Sequence, residues 1–151
     1  MLYTVDGLVL QARNYGENDK LVTILTAEGK QVVLAKGARS MKSKIKNITE
    51  PFVFANFELN QKGSAIPWIK GGSSIEIFYN LREDVEKLFL STYVCDVASE
   101  LSGERVDCTD MLRLTLNTLY AIMNDMRPLA QIKAVFEVRA AAISGYCPNL
   151  D

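Results

Sequence analysis

The chain has no histidine in its 151 residues, so the commonest general base and the commonest metal ligand are both missing. Cysteine is scarce as well. Cys95, Cys108 and Cys147 are odd in number and widely spaced, so neither a disulfide framework nor a paired C-x-x-C zinc site can be written from them. Cys95 and Cys108 fall in helical patterns and read as small apolar packing residues. No apolar run approaches the roughly 18 residues of a membrane span. The opening "MLYTVDGLVL" lacks the basic stretch of a secretory signal. These absences together set the expectation of a soluble cytoplasmic protein. A further absence is local: no acid occurs from Gly29 to Thr49, where Lys30, Lys36, Arg39, Lys42, Lys44 and Lys46 gather.

What remains is an ordinary globular composition, 48% hydrophobic and 23% charged. A chain of this length buries roughly 68–70% of its unfolded surface, in one or two small domains. The pattern changes near Leu81. Before it, short β-like runs alternate with turns such as "NYGEND" and "AEGK", which hold the Gly, Asn and Asp that chain reversals need. In "PFVFANFELN", Val53, Ala55, Phe57 and Leu59 share one face, which predicts a strand with one buried side. Similar runs are "TVDGLVLQA", "KLVTILTA", "KQVVLAKG" and a segment from Ile66 to Tyr79. Pro67 in that last segment marks an edge or bulge, and "KGGSS" a bulge or strand break. Five short strands in about 80 residues suggest a closed or nearly closed barrel, since closure removes exposed edges.

After Leu81 the apolar period becomes helical. "REDVEKLFLSTYVCDVASEL" has acids in its first turn and two apolar stripes, predicting a central, largely buried helix. A second helix begins at Asp107 as N-cap and buries Leu112, Leu116, Leu119, Tyr120 and Met123. A third has Pro128 in its first turn, buries Leu129, Ile132, Val135 and Phe136, and stops near Gly145. Three helices with short loops make an antiparallel bundle, so the fold class is α+β. The domain boundaries read as 1-80 and 81-151. Charge follows the same division: residues 1–80 hold ten Lys and Arg against seven Asp and Glu (+3), residues 81–151 seven against eleven (−4).

Catalysis finds little support. Without histidine, a base would have to be a carboxylate or lysine, and the acids of "YGEND" read as turn formers that bond their own backbone. "KGGSS" lacks both the spacing of a phosphate loop and the helix that should follow one. The chain is therefore expected not to be an enzyme. A lone surface lysine signifies only solubility, but six cations uninterrupted by acid on a barrel suit a phosphate backbone. Arg39, set among Gly37, Ala38 and Ser40, lies in a stretch small enough to stay mobile. Met41, Ile45 and Ile48 are few anchors for a membrane surface, so no membrane partner is expected. Phe54 and Trp68 are the aromatic residues best placed to stack on bases.

The ordered set "GLVL", "YGEND", "LTAEG", "AKGAR" and, much later, "FEVR" and "GYCPNL" resembles the bacterial RecO family of DNA repair recombination mediators over nearly all of the chain. That resemblance implies an N-terminal OB-fold barrel followed by a helical domain. It also implies binding of single- and double-stranded DNA, strand annealing, and work with RecR to load RecA onto strands coated by single-stranded-DNA-binding protein, in the cytoplasm at the nucleoid. Lys36 and Arg39 match the family's basic loop, Lys42, Lys44 and Lys46 extend it by charge, and Arg13 is a neighbour on the barrel. Tyr15, Gly16 and Asp19 are assigned to turn geometry, and Glu137 and Arg139 to tying helices together.

The resemblance further implies a cysteine-rich zinc segment and more helices beyond Asp151, where this sequence stops. No cofactor is therefore expected in this chain, and an apolar patch on the bundle is expected to lie open. An alternative reading makes the helical half a protein-interaction module. In the family that half receives the acidic C-terminal tail of the single-stranded-DNA-binding protein, and Arg113, Arg127 and Lys133 are the candidate rim residues.

Overall fold

The computed structural model describes residues 1–145. Five strands come first: β1 (Leu2–Tyr15), β2 (Asp19–Thr26), β3 (Gly29–Ala35), β4 (Val53–Asn60) and β5 (Trp68–Ile77). A 3-10 turn at Tyr79–Arg82 leads to α1 (Val85–Leu101), α2 (Thr109–Met123) and α3 (Leu129–Ser144). The strands close a barrel in the order β1-β2-β3-β5-β4. Every neighbouring pair is antiparallel except β3 and β5, which meet in parallel at the single pair Leu34 and Trp68. The α+β class and the barrel followed by three helices are as the periodicity predicts.

In β4 the alternation holds along the whole strand, with Val53, Ala55, Phe57 and Leu59 buried in the barrel. Full burial of side chains such as Phe57 and Leu59 contributes about 1.5–3 kcal/mol each. In β1 the alternation is interrupted. Pairing with β2 shifts between Val9 and Gln11, so Leu10 is an inserted residue. Val9 lies inside the barrel while Leu8 and Leu10 join the core beneath the helices. Beyond the bulge the faces exchange: Ala12 packs inward and Arg13 is exposed. Strict alternation from Val9 would have turned Arg13 into the barrel. Of the two expectations for "KGGSS" the bulge holds and the break does not: β5 runs through it, with its register against β4 shifting at Lys70.

The helices pack on one side of the barrel. Leu8, Leu10, Leu25, Phe52 and Phe78 share a core with Val94, Ala98, Leu119 and Phe136. The α1–α2 connection is tied to the β2–β3 turn by Lys30 N–H to Gly103 O (2.9 Å) and Cys108 N–H to Ala27 O (2.8 Å). Between these bonds Gly29 has φ +130°, and a Cβ there would lie 2.7 Å from the Arg105 nitrogen.

Helix ends differ from expectation in detail. Asp84 caps α1, its carboxylate accepting the Lys87 N–H at 3.1 Å. The α2 N-cap is Cys108 rather than Asp107. Asp107 still serves the first turn from one position earlier, accepting the Thr109 N–H (2.9 Å) and hydroxyl (2.6 Å), which hold its carboxyl below the ordinary carboxylate range. Pro128 occupies the N-cap of α3.

Burial is narrower than the helical pattern suggests. In α1 the stripe with Leu90, Val94 and Ala98 is buried, whereas Val85 and Phe89 are 67% and 70% exposed. Tyr120 and Val135, expected in the core, are also exposed. α1 and α2 lie against the barrel while α3 packs on α1 and α2, so each helix is covered over only part of its surface. The described residues thus leave apolar side chains open on the outer faces of α1 and α3.

Candidate nucleic-acid interface

The segment joining β3 to β4 carries the basic cluster. Its small and apolar members turn inward: Ala38, Ile45 and Ile48 are buried in the barrel core. Lys36, Arg39, Lys42, Lys44 and Lys46 are all exposed. Successive turns order the chain, with Ser40 N–H to Gly37 O at 3.0 Å and Ser43 N–H to Ser40 O at 3.1 Å. The β1–β2 turn grips the segment from outside. Asp19 accepts the Gly37 N–H at 2.7 Å, Asn18 O accepts the Arg39 N–H at 3.0 Å, and Gly16 O accepts an Arg39 guanidinium N–H at 2.8 Å. The expected mobile loop is in fact pinned, because two isoleucines that looked like sparse membrane anchors are core residues. Gly16, at φ +67°, forms the reversal, whereas the Asp19 carboxylate, read as bonding its own turn, bonds the loop instead.

Lys30 does not belong to the cluster. Its ammonium donates to Ser99 O at the end of α1, at 2.8 Å. Five cations therefore remain. Glu50, the acid that ends the acid-free run, is neutralised by Lys20 (3.9 Å) and Arg82 (3.2 Å). Among the described residues none of the five loop cations forms an ion pair.

Strand register places Arg13 on the same surface. Arg13 faces Leu21, Leu21 faces Leu34, and Leu34 faces Trp68 across β1, β2, β3 and β5. Residues directly opposite one another in a sheet point to the same side, and this row points outward. Leu21 and Leu34 are half-buried and belong to neither core. Lys36, two residues beyond Leu34, holds its ammonium 4.8 Å from the centroid of the Trp68 ring. Phe54, the other aromatic candidate, packs against the core beneath the helices instead.

The helical candidates separate. Arg113, Arg127 and Arg139 line two adjoining hollows between α2 and α3, with Leu114, Ala121, Ile132 and Phe136 as apolar walls. Lys133 is not with them. It faces α1, 3.3 Å from Glu137 and 5.1 Å above the Tyr93 ring. Tyr93 donates its hydroxyl to Glu137 at 2.5 Å, tying α1 to α3, as expected for Glu137. The tyrosine hydroxyl, and then Lys133, hold the Glu137 carboxyl below its ordinary range, and the same bond raises the Tyr93 pKa. Arg139, read as a helix tie, lines the groove instead. Only its position on α3 relative to Arg113 on α2 reveals that, and sequence spacing within one helix does not carry it.

Zinc does not fit the residues described. Cys95 and Cys108 are both buried in the core, and no three of His, Cys, Asp and Glu cluster among the described residues. Burial also pushes the Cys95 thiol far up, away from nucleophilic use. Cys147 and the rest of "GYCPNL" after Gly145 lie outside the described residues. No helix among those described is long and apolar enough to cross a membrane.

Comparison with known proteins accounts for both halves. Residues 1–78 match the family described as Recombination protein O N terminal, and residues 82–151 that described as Recombination protein O C terminal. The DNA repair protein RecO of Acetivibrio thermocellus is 34% identical over 143 residues, covering 94% of this chain and 57% of that protein. That of Alkaliphilus metalliredigens is 34% identical over 151 residues, covering 99% and 61%. That of Shouchella clausii is 31% identical over 152 residues, covering 100% and 59%. The chain thus spans about three fifths of the length of these curated relatives. Matched in order through both halves, the chain belongs to the RecO family of recombination proteins.

Proposed function

We propose that this chain is a non-enzymatic DNA-binding and strand-annealing part of a DNA repair mediator. It binds single- and double-stranded DNA through Lys36, Arg39, Lys42, Lys44 and Lys46, with Arg13 at the margin. Working with RecR, it serves the loading of RecA onto strands coated by single-stranded-DNA-binding protein, in the cytoplasm at the nucleoid. The division at 1-80 and 81-151 assigns DNA to the barrel and partners to the helices. One observation carries this reading: five exposed cations without acidic partners stand on a segment pinned to the barrel. Pinning lowers the entropy lost when the cations are ordered on phosphates. The names of the relatives, DNA repair protein RecO, support it.

Binding to phosphates releases condensed counterions, at a slope of about −0.7 per contact for single strands. Five contacts give a slope of log affinity on log salt of about −3.5. Affinity for an oligothymidylate is then expected to fall roughly 130-fold between about 50 and 200 mM salt. Fluorescence anisotropy across that range checks it; a slope near zero would remove the phosphate contacts.

A second reading is favoured by the α2–α3 groove. Apolar walls rimmed by Arg113, Arg127 and Arg139 suit a short acidic peptide with hydrophobic ends, such as the tail of the single-stranded-DNA-binding protein. Titrating that peptide is expected to shift amide resonances of α2 and α3 while leaving the barrel unmoved. No shift at millimolar peptide would exclude it.

A further inference from the structure

We propose that Trp68 is a base-stacking position and that it gives the barrel face a preference for unpaired DNA. This deepens the phosphate-binding reading above and rests on it. Lys36 lies over the indole at 4.8 Å, a cation–π contact. Lys36 is exposed and Trp68 half-buried, so the ring is partly open, and the Lys36 ammonium lies over it. A lysine stem is flexible, and its ammonium can leave the ring for a neighbouring phosphate. The ring then takes a base, and the cation takes the backbone beside it.

The surroundings fit a strand with its bases turned inward. From Trp68 the outer row runs through Leu34 and Leu21 to Arg13. At about 4.8 Å between strands, that row is roughly 14 Å long. Two half-buried leucines form an apolar floor between the Lys36 and Arg13 cations. Apolar floor, aromatic end and cationic margins suit the faces of bases and the charges of the backbone together. A duplex hides its base faces in the stack, so it can use the loop cations but not the ring.

Trp68 is the only tryptophan in the chain, so its fluorescence reports this position directly. Titration with a 20-nucleotide oligothymidylate is expected to quench the emission, whereas a 20-base-pair duplex bound to saturation leaves it nearly unchanged. Trp68→Leu is expected to lower affinity for the single strand about 10-fold while duplex affinity and the salt slope stay the same. Trp68→Phe keeps a stacking face and is expected to lose less than half of that effect. Thermal melting of both variants reports folding, and the quenching in the unaltered protein needs no variant at all. Equal quenching by strand and duplex, or unchanged single-strand affinity in folded Trp68→Leu, would overturn the stacking position and leave the phosphate loop standing. Loss of the salt slope in the unaltered protein would instead remove the phosphate reading itself.

Discussion

Changing Lys36, Arg39, Lys42 and Lys44 together to glutamate is expected to abolish DNA binding at about 0.15 M salt. Four attractive contacts become four repulsive ones, leaving Lys46 as the one loop cation on a surface that repels phosphate. Removing four phosphate contacts alone takes the slope of log affinity on log salt from about −3.5 to about −0.7. The fold should survive, because all four side chains are exposed and the anchors Ala38, Ile45 and Ile48 are untouched. Within the protein the change removes the hydrogen bond from the Arg39 guanidinium to Gly16 O and the Lys36 contact with the Trp68 ring. An exposed hydrogen bond of that kind is worth about 1 kcal/mol or less. Anisotropy with a labelled oligothymidylate, alongside a thermal melt, measures both effects. A folded variant with its affinity intact would show that the loop is not the DNA site.

Gly29→Ala is expected to destabilise the fold substantially. Two costs coincide there. At φ +130° an alanine is strained, and its Cβ would sit 2.7 Å from the Arg105 nitrogen and 3.0 Å from Gly103 O. Both atoms are backbone, so neither can swing aside as a side-chain tip would. Strain and overpacking together cost about 3 kcal/mol. For a chain of this size that lowers the melting temperature by roughly 6–12 °C. Gly63 provides the control: its φ is +58° but nothing lies within 4 Å of the added Cβ. Gly63→Ala should therefore cost only the left-handed backbone term, about 1 kcal/mol. Equal melting temperatures for the two variants would mean that the β2–β3 turn gives way without loss.

Some of this was readable from residues alone, and the reasons differ by element. β4 was legible because its two faces differ in polarity at every step. The loop cations were legible as charge, and Lys36 and Arg39 also as members of "AKGAR". Arg13 faces outward because an inserted residue at Leu10 reverses the alternation, and no residue in "VLQARN" announces a bulge. Lys30 and Lys133 read as free cations because charge counts do not show which carbonyl or carboxylate lies across the fold. Ile45 and Ile48 were ambiguous for the same reason: two isoleucines among lysines look alike whether they anchor to a membrane or to a barrel. The α2–α3 groove needed two helices side by side before Arg139 could be set beside Arg113.

Two of the lysines have a further consequence. Neither α1 nor α2 carries a basic residue in its last turn, where the carbonyls are left without partners and the helix end is negative. Lys30 of β3 supplies a donor to Ser99 O in α1, and Lys87 of α1 supplies one to Met123 O at the end of α2. Each of these two helix ends thus receives a donor from an element earlier in the chain. Folding cooperativity is written into these contacts: parting α1 from the barrel removes one donor from the end of α1, and parting α2 from α1 removes one from the end of α2.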